Sequence, residues 1–280
     1  MGVVNASPES FSDGGRHASF EAQVALAASL VEAGADIIDV GGQSAVTNQP
    51  PVPESVEIER VLPIVEWIRG TFPDVLVSVD TYKPRVVASV LAAGAHIIND
   101  VSGLRFPEVA SACADHGASL VIMHTAAPPQ VRLQDPSLYS DISAEVVGFL
   151  RERIDVAVEA GLSREALIVD PGPDFTKTPY QTVQLLRGIE SVRALGRPVL
   201  LALSRKDFLG AITGRTPRQR SAATAAAIAH LVVTPGNIVR VHDVAAAVDV
   251  IATVEVLVGR REVPTNYVLP DSLRYEKRDE

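Results

Sequence analysis

Short runs of valine, isoleucine and leucine recur along the chain, separated by stretches with helical periodicity. The runs occupy residues 2–4, 36–40, 75–79, 96–98, 119–123, 167–169, 199–203 and 238–241. They are near-continuous rather than alternating, the pattern of strands buried on both faces of a parallel sheet. Between them, Phe20, Val24, Ala27, Leu30 and Val31 fall on one helical face. Val61, Ile64, Val65 and Ile68 do the same beside Trp67, and so do Val146, Val147, Leu150, Ile154 and Val158. Gly34, Gly94, Gly117 and Gly161 follow helix ends, where a left-handed residue is favoured. Thr216-Pro217 reads as an N-cap followed by proline at the first helical position.

Eight strand–helix units in 280 residues fit a (β/α)8 barrel, which takes roughly 250 residues. The rival, a doubly wound open sheet, usually carries a glycine-rich turn after its first strand. Here that strand runs into Asn5-Ala6-Ser7-Pro8. No linker or composition shift divides the chain. The pattern therefore favours an α/β protein of the TIM-barrel class, one domain over residues 1–280, with 264–280 as a C-terminal tail that ends in a charged, fraying segment.

Composition narrows the function. Hydrophobic residues make up 47% and charged residues 21%, which excludes disordered and low-complexity classes. Lys+Arg number 25 and Asp+Glu 34, a net charge of −9 that argues against a nucleic-acid partner. Cys113 is the one cysteine, so no intrachain disulfide can form, which fits a reducing, cytoplasmic setting. No apolar run reaches the ~18–20 residues of a membrane span.

Each predicted strand ends on a polar group. These are Asn5, Asp39, Asp80, Asn99-Asp100, His124, Asp170, Ser204-Arg205-Lys206, and Arg240 with His242. In a barrel those ends build the active site. Any one of them, Asp39 or Asp100 for instance, reads most simply as a capping group; eight together read as a lined pocket. Asp80, Asn99 and Asp170 suit the N–H edge of a flat heterocycle such as a pterin or guanine-like ring. Lys206, Arg240 and His242 suit a phosphate or diphosphate. Asn5 offers a neutral oxygen to Mg2+, which keeps most of its waters and bridges substrate phosphates. Segments 7–15 and 41–51, rich in glycine, serine and proline, are candidate lids. His17, His96, His116 and His230 have no metal-site spacing. The small-residue stretch 221–229 is a candidate homodimer face.

In their order, GVVNASPESFSDGG, GADIIDVGGQS, VSVDTYKPRVV, GAHIINDVSG, VDPGPDFTK, SRKDFLG and RVHDV resemble the motifs of the dihydropteroate synthase family over nearly the whole chain. The resemblance implies a (β/α)8 barrel that joins a dihydropterin pyrophosphate to p-aminobenzoate and releases pyrophosphate. It implies that Asp80, Asn99, Asp170 and Lys206 hold the pterin. It implies that Asn5, Arg240 and His242 hold pyrophosphate and Mg2+, with Lys206, Asp80, Arg240 and His242 as the catalytic set. Family members usually carry several residues before the first strand, so an upstream start or a clipped barrel floor is expected here.

The p-aminobenzoate region, Ser44, Val46, Phe175 and Asp207, departs from the family pattern. The family's Thr-Arg-Pro element after Ser44 is Ala45-Val46-Thr47. Its SRKSF is Ser204-Arg205-Lys206-Asp207-Phe208, and its GIGFGK is Gly172-Pro173-Asp174-Phe175-Thr176-Lys177. Glu9 replaces the usual aspartate of the first loop. A cation is lost and acids are gained where an anionic co-substrate should bind. An Asp207 carboxylate facing that substrate would repel it by ~1–4 kcal/mol, whereas an Asp207 turned away would favour its own helix start. The pattern resembles the divergent second homologue found beside the housekeeping enzyme in some actinobacteria. Three expectations follow: a synthase, a pterin-binding paralogue without condensation, or a transferase with a different acceptor.

Overall fold

The computed structural model describes residues 1–7, 19–43 and 50–275. Ser44 and Val46, and most of the two candidate lids, lie outside the described residues, as does the end of the tail from residue 276. Strands and helices alternate: β1 (Gly2–Asn5), α1 (Phe20–Glu32), β2 (Ile37–Gly41), α2 (Glu54–Thr71), β3 (Leu76–Asp80), α3 (Pro84–Ala92), β4 (Ile97–Asp100), α4 (Glu108–His116) and β5 (Ser119–Met123). They continue with α5 (Ile142–Glu159), β6 (Leu167–Asp170), α6 (Pro179–Arg187), α7 (Ile189–Arg193), β7 (Val199–Leu201), α8 (Asp207–Thr213), α9 (Ser221–Leu231), β8 (Asn237–Val239) and α10 (Val244–Leu257). All strand pairs are parallel and in sequence order. A parallel bridge from Gly2 to Val241 closes the ring, so the fold is a TIM barrel.

The last two strands stop earlier than their apolar runs. Arg205, at φ 61°, turns the chain after β7 toward α8. Val241 leaves the β7 ladder and pairs with the first strand instead, donating its N–H to Met1 O at 3.0 Å. Helix faces follow the periodicity closely. Val61, Ile64, Val65 and Ile68 are fully buried, each contributing roughly 1.5–3 kcal/mol of burial. Phe20 and Val158, at the ends of their stripes, are exposed. Gly34, Gly94, Gly117 and Gly161 all have positive φ. Thr216 and Gln219 form a capping box, but over a 3-10 turn that precedes α9 rather than over the helix itself.

The site is positioned by the strand period of two. Residues i and i+2 point the same way along a strand. An apolar layer inside the barrel is built by Met1, Ile37, Ile97, Val121, Ile168 and Leu200, with Ile238 packed against it. Two residues further along β2, β4 and β6, and after β8, stand Asp39, Asn99, Asp170 and Arg240. Two residues along β2, β4 and β6, and past the end of β8, therefore take the interior from a dry floor to a polar mouth.

Candidate active site

Asp39 is the centre of that mouth. Its carboxylate is fully buried at 0% exposure, which demands compensation from partners. Oδ1 accepts from Ser78 Oγ at 2.6 Å, across the β2–β3 register. Oδ2 accepts from Asn99 Nδ2 at 3.3 Å and from Arg240 Nε at 2.7 Å. Arg240 Nη2 then reaches Asp80 Oδ2 at 3.1 Å. Residues from β2, β3, β4 and the end of β8 thus share one network. Burial pushes the Asp80 carboxyl up to about 7, against the opposing pull of Arg240. The two carboxylates hold the guanidinium more firmly protonated than usual, in spite of its burial. Asn99 Oδ1 is buried without a hydrogen-bond partner, an unmet acceptor.

Asp170, Lys206 and Phe175 form the second part. Asp170 Oδ1 accepts from Gly172 N at 2.7 Å, and burial raises its carboxyl. Gly172 has φ 65°, and a β-carbon there would stand 2.2 Å from His124 O, so only glycine fits. Lys206 Nζ donates to Pro173 O at 3.0 Å and sits 4.2 Å over the Phe175 ring. Burial lowers its pKa. Phe175, read from sequence with the p-aminobenzoate region, is therefore in contact with a lysine read as a pterin ligand. Ser204 Oγ and His242 Nδ1 are 3.0 Å apart, which fixes the imidazole near the end of β8.

The two acids of this region behave differently. The Asp207 carboxylate turns to Arg220 Nη1 at 3.1 Å. The same guanidinium also holds the Arg205 and Lys206 carbonyls. Asp207 does not cap its own helix. Asp174 does so from across the site: its Oδ2 accepts from Asp207 N at 2.5 Å and from Phe208 N at 3.3 Å. Thr182 Oγ1 donates to Asp174 Oδ1 at 3.1 Å. Asp174 and Thr176 both sit at positive φ, 63° and 51°, in positions where the family pattern has glycine. For the β-branched Thr176 that conformation costs about 1–3 kcal/mol.

Two strand-end residues turn out to be structural. Asp100 accepts from Ser102 N at 2.6 Å and Leu104 N at 3.1 Å, so it folds the loop after β4. His124 leaves the mouth and meets Lys177, which is wholly buried. Lys177 Nζ and His124 Nδ1 are 2.8 Å apart, and Nζ also donates to Gly172 O and Phe175 O, each at 2.9 Å. Burial and the neighbouring ammonium lower the His124 pKa to about 2, and burial lowers Lys177 to about 7.

A further cluster went unread in the sequence. Lys83 Nζ donates to Glu57 Oε2 at 2.5 Å, Val52 O at 2.6 Å and Gln43 Oε1 at 2.8 Å. Gln43 Oε1 also accepts from Val52 N at 2.9 Å. Its only sequence signal is the Gln43 that stands where the family pattern has glutamate.

Among the described residues no group of three His, Cys, Asp or Glu side chains converges as a metal cage. Asn5, at the end of β1 beside Gly41, offers one neutral oxygen. That donor fits Mg2+ held mainly by water and substrate phosphates.

The sequence pattern described as pterin binding enzyme matches residues 1–242. A protein named dihydropteroate synthase from Synechocystis is 37% identical over 92% of this chain and 89% of its own length. One of the same name from Bacillus subtilis is 38% identical over 87% and 83%. Among solved structures, the Yersinia pestis dihydropteroate synthase in complex with a sulfonamide drug aligns with a TM-score of 0.87 at 34% identity, covering 92% of this chain and 93% of that one. The Xanthomonas albilineans dihydropteroate synthase with 4-aminobenzoic acid aligns at 0.82 and 42%, covering 94% and 93%.

Proposed function

This chain belongs to the pterin-binding enzyme family, as a transferase of the dihydropteroate synthase type, and from that premise we propose how its own residues perform the condensation. The substrates are 6-hydroxymethyl-7,8-dihydropterin pyrophosphate and p-aminobenzoate. The C–O bond to pyrophosphate breaks, the pterin methylene becomes cationic, and the aryl amine forms the new C–N bond and gives up a proton to solvent. Such a step needs positioning and stabilisation of the leaving charge, not a protein nucleophile.

The observation that carries this reading is the unmet buried acceptor Asn99 Oδ1, inside a network that holds Asp39, Asp80 and Arg240 in fixed places. A pterin edge supplies N–H donors for Asn99, Asp80 and Asp170. Arg240 Nε and Nη2 are committed to the two carboxylates, which aims the rest of the fork at a diphosphate. His242 and Asn5 complete that end. Lys206 lies against Phe175, and its ammonium stabilises the negative charge that develops on the departing diphosphate. Asn5 would hold Mg2+ through its side-chain oxygen, and the ion would neutralise diphosphate charge.

The acceptor end supports p-aminobenzoate more than its acid count suggests, because Arg220 meets the Asp207 charge. Asp174 is the acid that remains near the start of α8. A homodimer through α9 is part of the proposal: Ala222 and Ala226 are exposed on it. A cytoplasmic setting is supported by Cys113, the one cysteine of the chain, which leaves no intrachain disulfide. No helix among the described residues is long and apolar enough to cross a membrane.

Calorimetric titration with the dihydropterin pyrophosphate and Mg2+ tests the binding half. Saturable binding that is lost in Asp80→Ala and in Asn99→Ala supports the reading. Unchanged binding in both variants rejects it.

A further inference from the structure

A second cavity, of about 550 Å³, lies between the segments that follow β4 and β5 and the helix α5. That volume is in the range of small-molecule sites, ~300–1,000 Å³. None of Asp80, Asn99, Asp170, Lys206 or Arg240 lines it. Its wall has an aromatic corner. The His124 ring meets Phe149 edge-on at 4.9 Å between centroids and tilts against Tyr139 at 5.8 Å.

The same wall carries two guanidiniums. Arg153 lies 5.4 Å over the Phe149 ring, and its Nε is buried with no hydrogen-bond partner. Arg105 is exposed, and among the described residues its side chain has no hydrogen-bond or ion-pair partner. The opposing acids are occupied. Glu145 Oε1 accepts from Ser140 N at 2.8 Å, Ser140 Oγ at 3.3 Å and Asp141 N at 3.3 Å. Glu152, which meets Arg153 Nη2 at 3.0 Å, is itself largely exposed and does not line the cavity. His124 is neutral at physiological pH. The lining therefore offers flat apolar surface next to two guanidiniums: Arg153, paired through Nη2 with Glu152, and Arg105, which has no hydrogen-bonded acid among the described residues and acts on the Asp100 carboxyl only through its charge.

We propose that this cavity is a second ligand site, for a small planar aromatic anion such as an aryl carboxylate. The ring packs against Phe149 and Tyr139, and the anion meets Arg105 and Arg153. A neutral aromatic would leave the Arg105 fork unmet, and an inorganic anion would leave the aromatic corner uncovered. The inference stands apart from the reaction at the barrel mouth and does not depend on it.

The probe is naphthoate, titrated by calorimetry into the full chain, with naphthylmethanol as the neutral counterpart. Variants are Arg105→Ala alone and Arg105→Ala with Arg153→Gln. Saturable one-to-one binding is expected, retained when the dihydropterin pyrophosphate is bound. It should weaken several-fold in Arg105→Ala and roughly tenfold or more in the double variant, with little heat from the neutral probe. Arg105 is exposed, so its single variant keeps the test clear of misfolding, and its condensation activity should equal that of the parent. Equal affinity in both variants, no saturable binding to the parent, or full displacement by the dihydropterin pyrophosphate each overturns the proposal.

Discussion

Arg240 is held by Asp39: Nε stands 2.7 Å from a carboxylate with no exposure to solvent. Asp39 is wholly buried and sets the plane of the guanidinium that the proposed function aims at a diphosphate. Asp39→Asn keeps the shape and removes the charge. Breaking such a buried pair costs about 3–5 kcal/mol, part of which the remaining Asp80 contact recovers. A lower melting temperature and a kcat/KM down about 10²-fold are expected from thermal unfolding and steady-state kinetics. A variant with parental kinetics would show that Arg240 is aimed by other contacts.

The same network predicts a pH dependence. Asp80 titrates near 7 in the folded protein, raised by burial and by Asp39. As an acceptor for N–H donors it works ionised, so kcat/KM should fall on an acid limb near pH 7. In Asp39→Asn a neighbouring negative charge is gone, and the limb should move to lower pH. For stability the sign is the reverse. With a folded pKa above the 3.8 of a free aspartate, Asp80 binds more protons folded than unfolded, so its contribution declines as pH rises from about 4 to about 7.

His124 predicts the opposite slope. Its folded pKa is about 2 against 6.5 when unfolded. The unfolded chain therefore binds the extra proton between those values, and stability is lost as pH falls through that window. His124→Asn should flatten the acid limb of a curve of unfolding free energy against pH while lowering that free energy at pH 7 by about 1–3 kcal/mol, because the Lys177 contact is weakened. An unchanged acid limb would place the titrating group elsewhere.

Asp174 predicts a change in acceptor affinity. Its carboxylate occupies the Asp207 and Phe208 amides at the start of α8, close to Lys206. Asp174→Gly removes that charge and relieves a φ of 63°. The KM for p-aminobenzoate should fall several-fold, with the pterin KM nearly unchanged; one pair of charges at this range is worth ~1–4 kcal/mol at most. A higher KM for p-aminobenzoate would mean that Asp174 helps to shape the acceptor end.

Much of the fold was legible because strand and helix periods are local. Val61, Ile64, Val65 and Ile68 announce a buried face within eight residues, and all four are buried. The polar strand ends were legible for the same reason. What could not be read was the partner of each. Asp39 and Arg240 are 201 residues apart, and their contact exists only once β2 and β8 share a barrel. Asp100 and His124 carry the same sequence signal as Asp80, yet one ties down its own loop and the other faces Lys177. The direction of Asp207 depended on Arg220, which reaches it from beyond α8. Lys83, Glu57 and Gln43 come from three segments whose chemistry is invisible one at a time.

The central claim, that this barrel condenses a dihydropterin pyrophosphate with p-aminobenzoate, is tested most directly by product formation. The chain is incubated with both substrates and Mg2+, and pyrophosphate and dihydropteroate are measured together. Equal, time-dependent release of the two, abolished in Lys206→Ala, is the predicted result. No release above background, under conditions where an active homologue turns over, would contradict it.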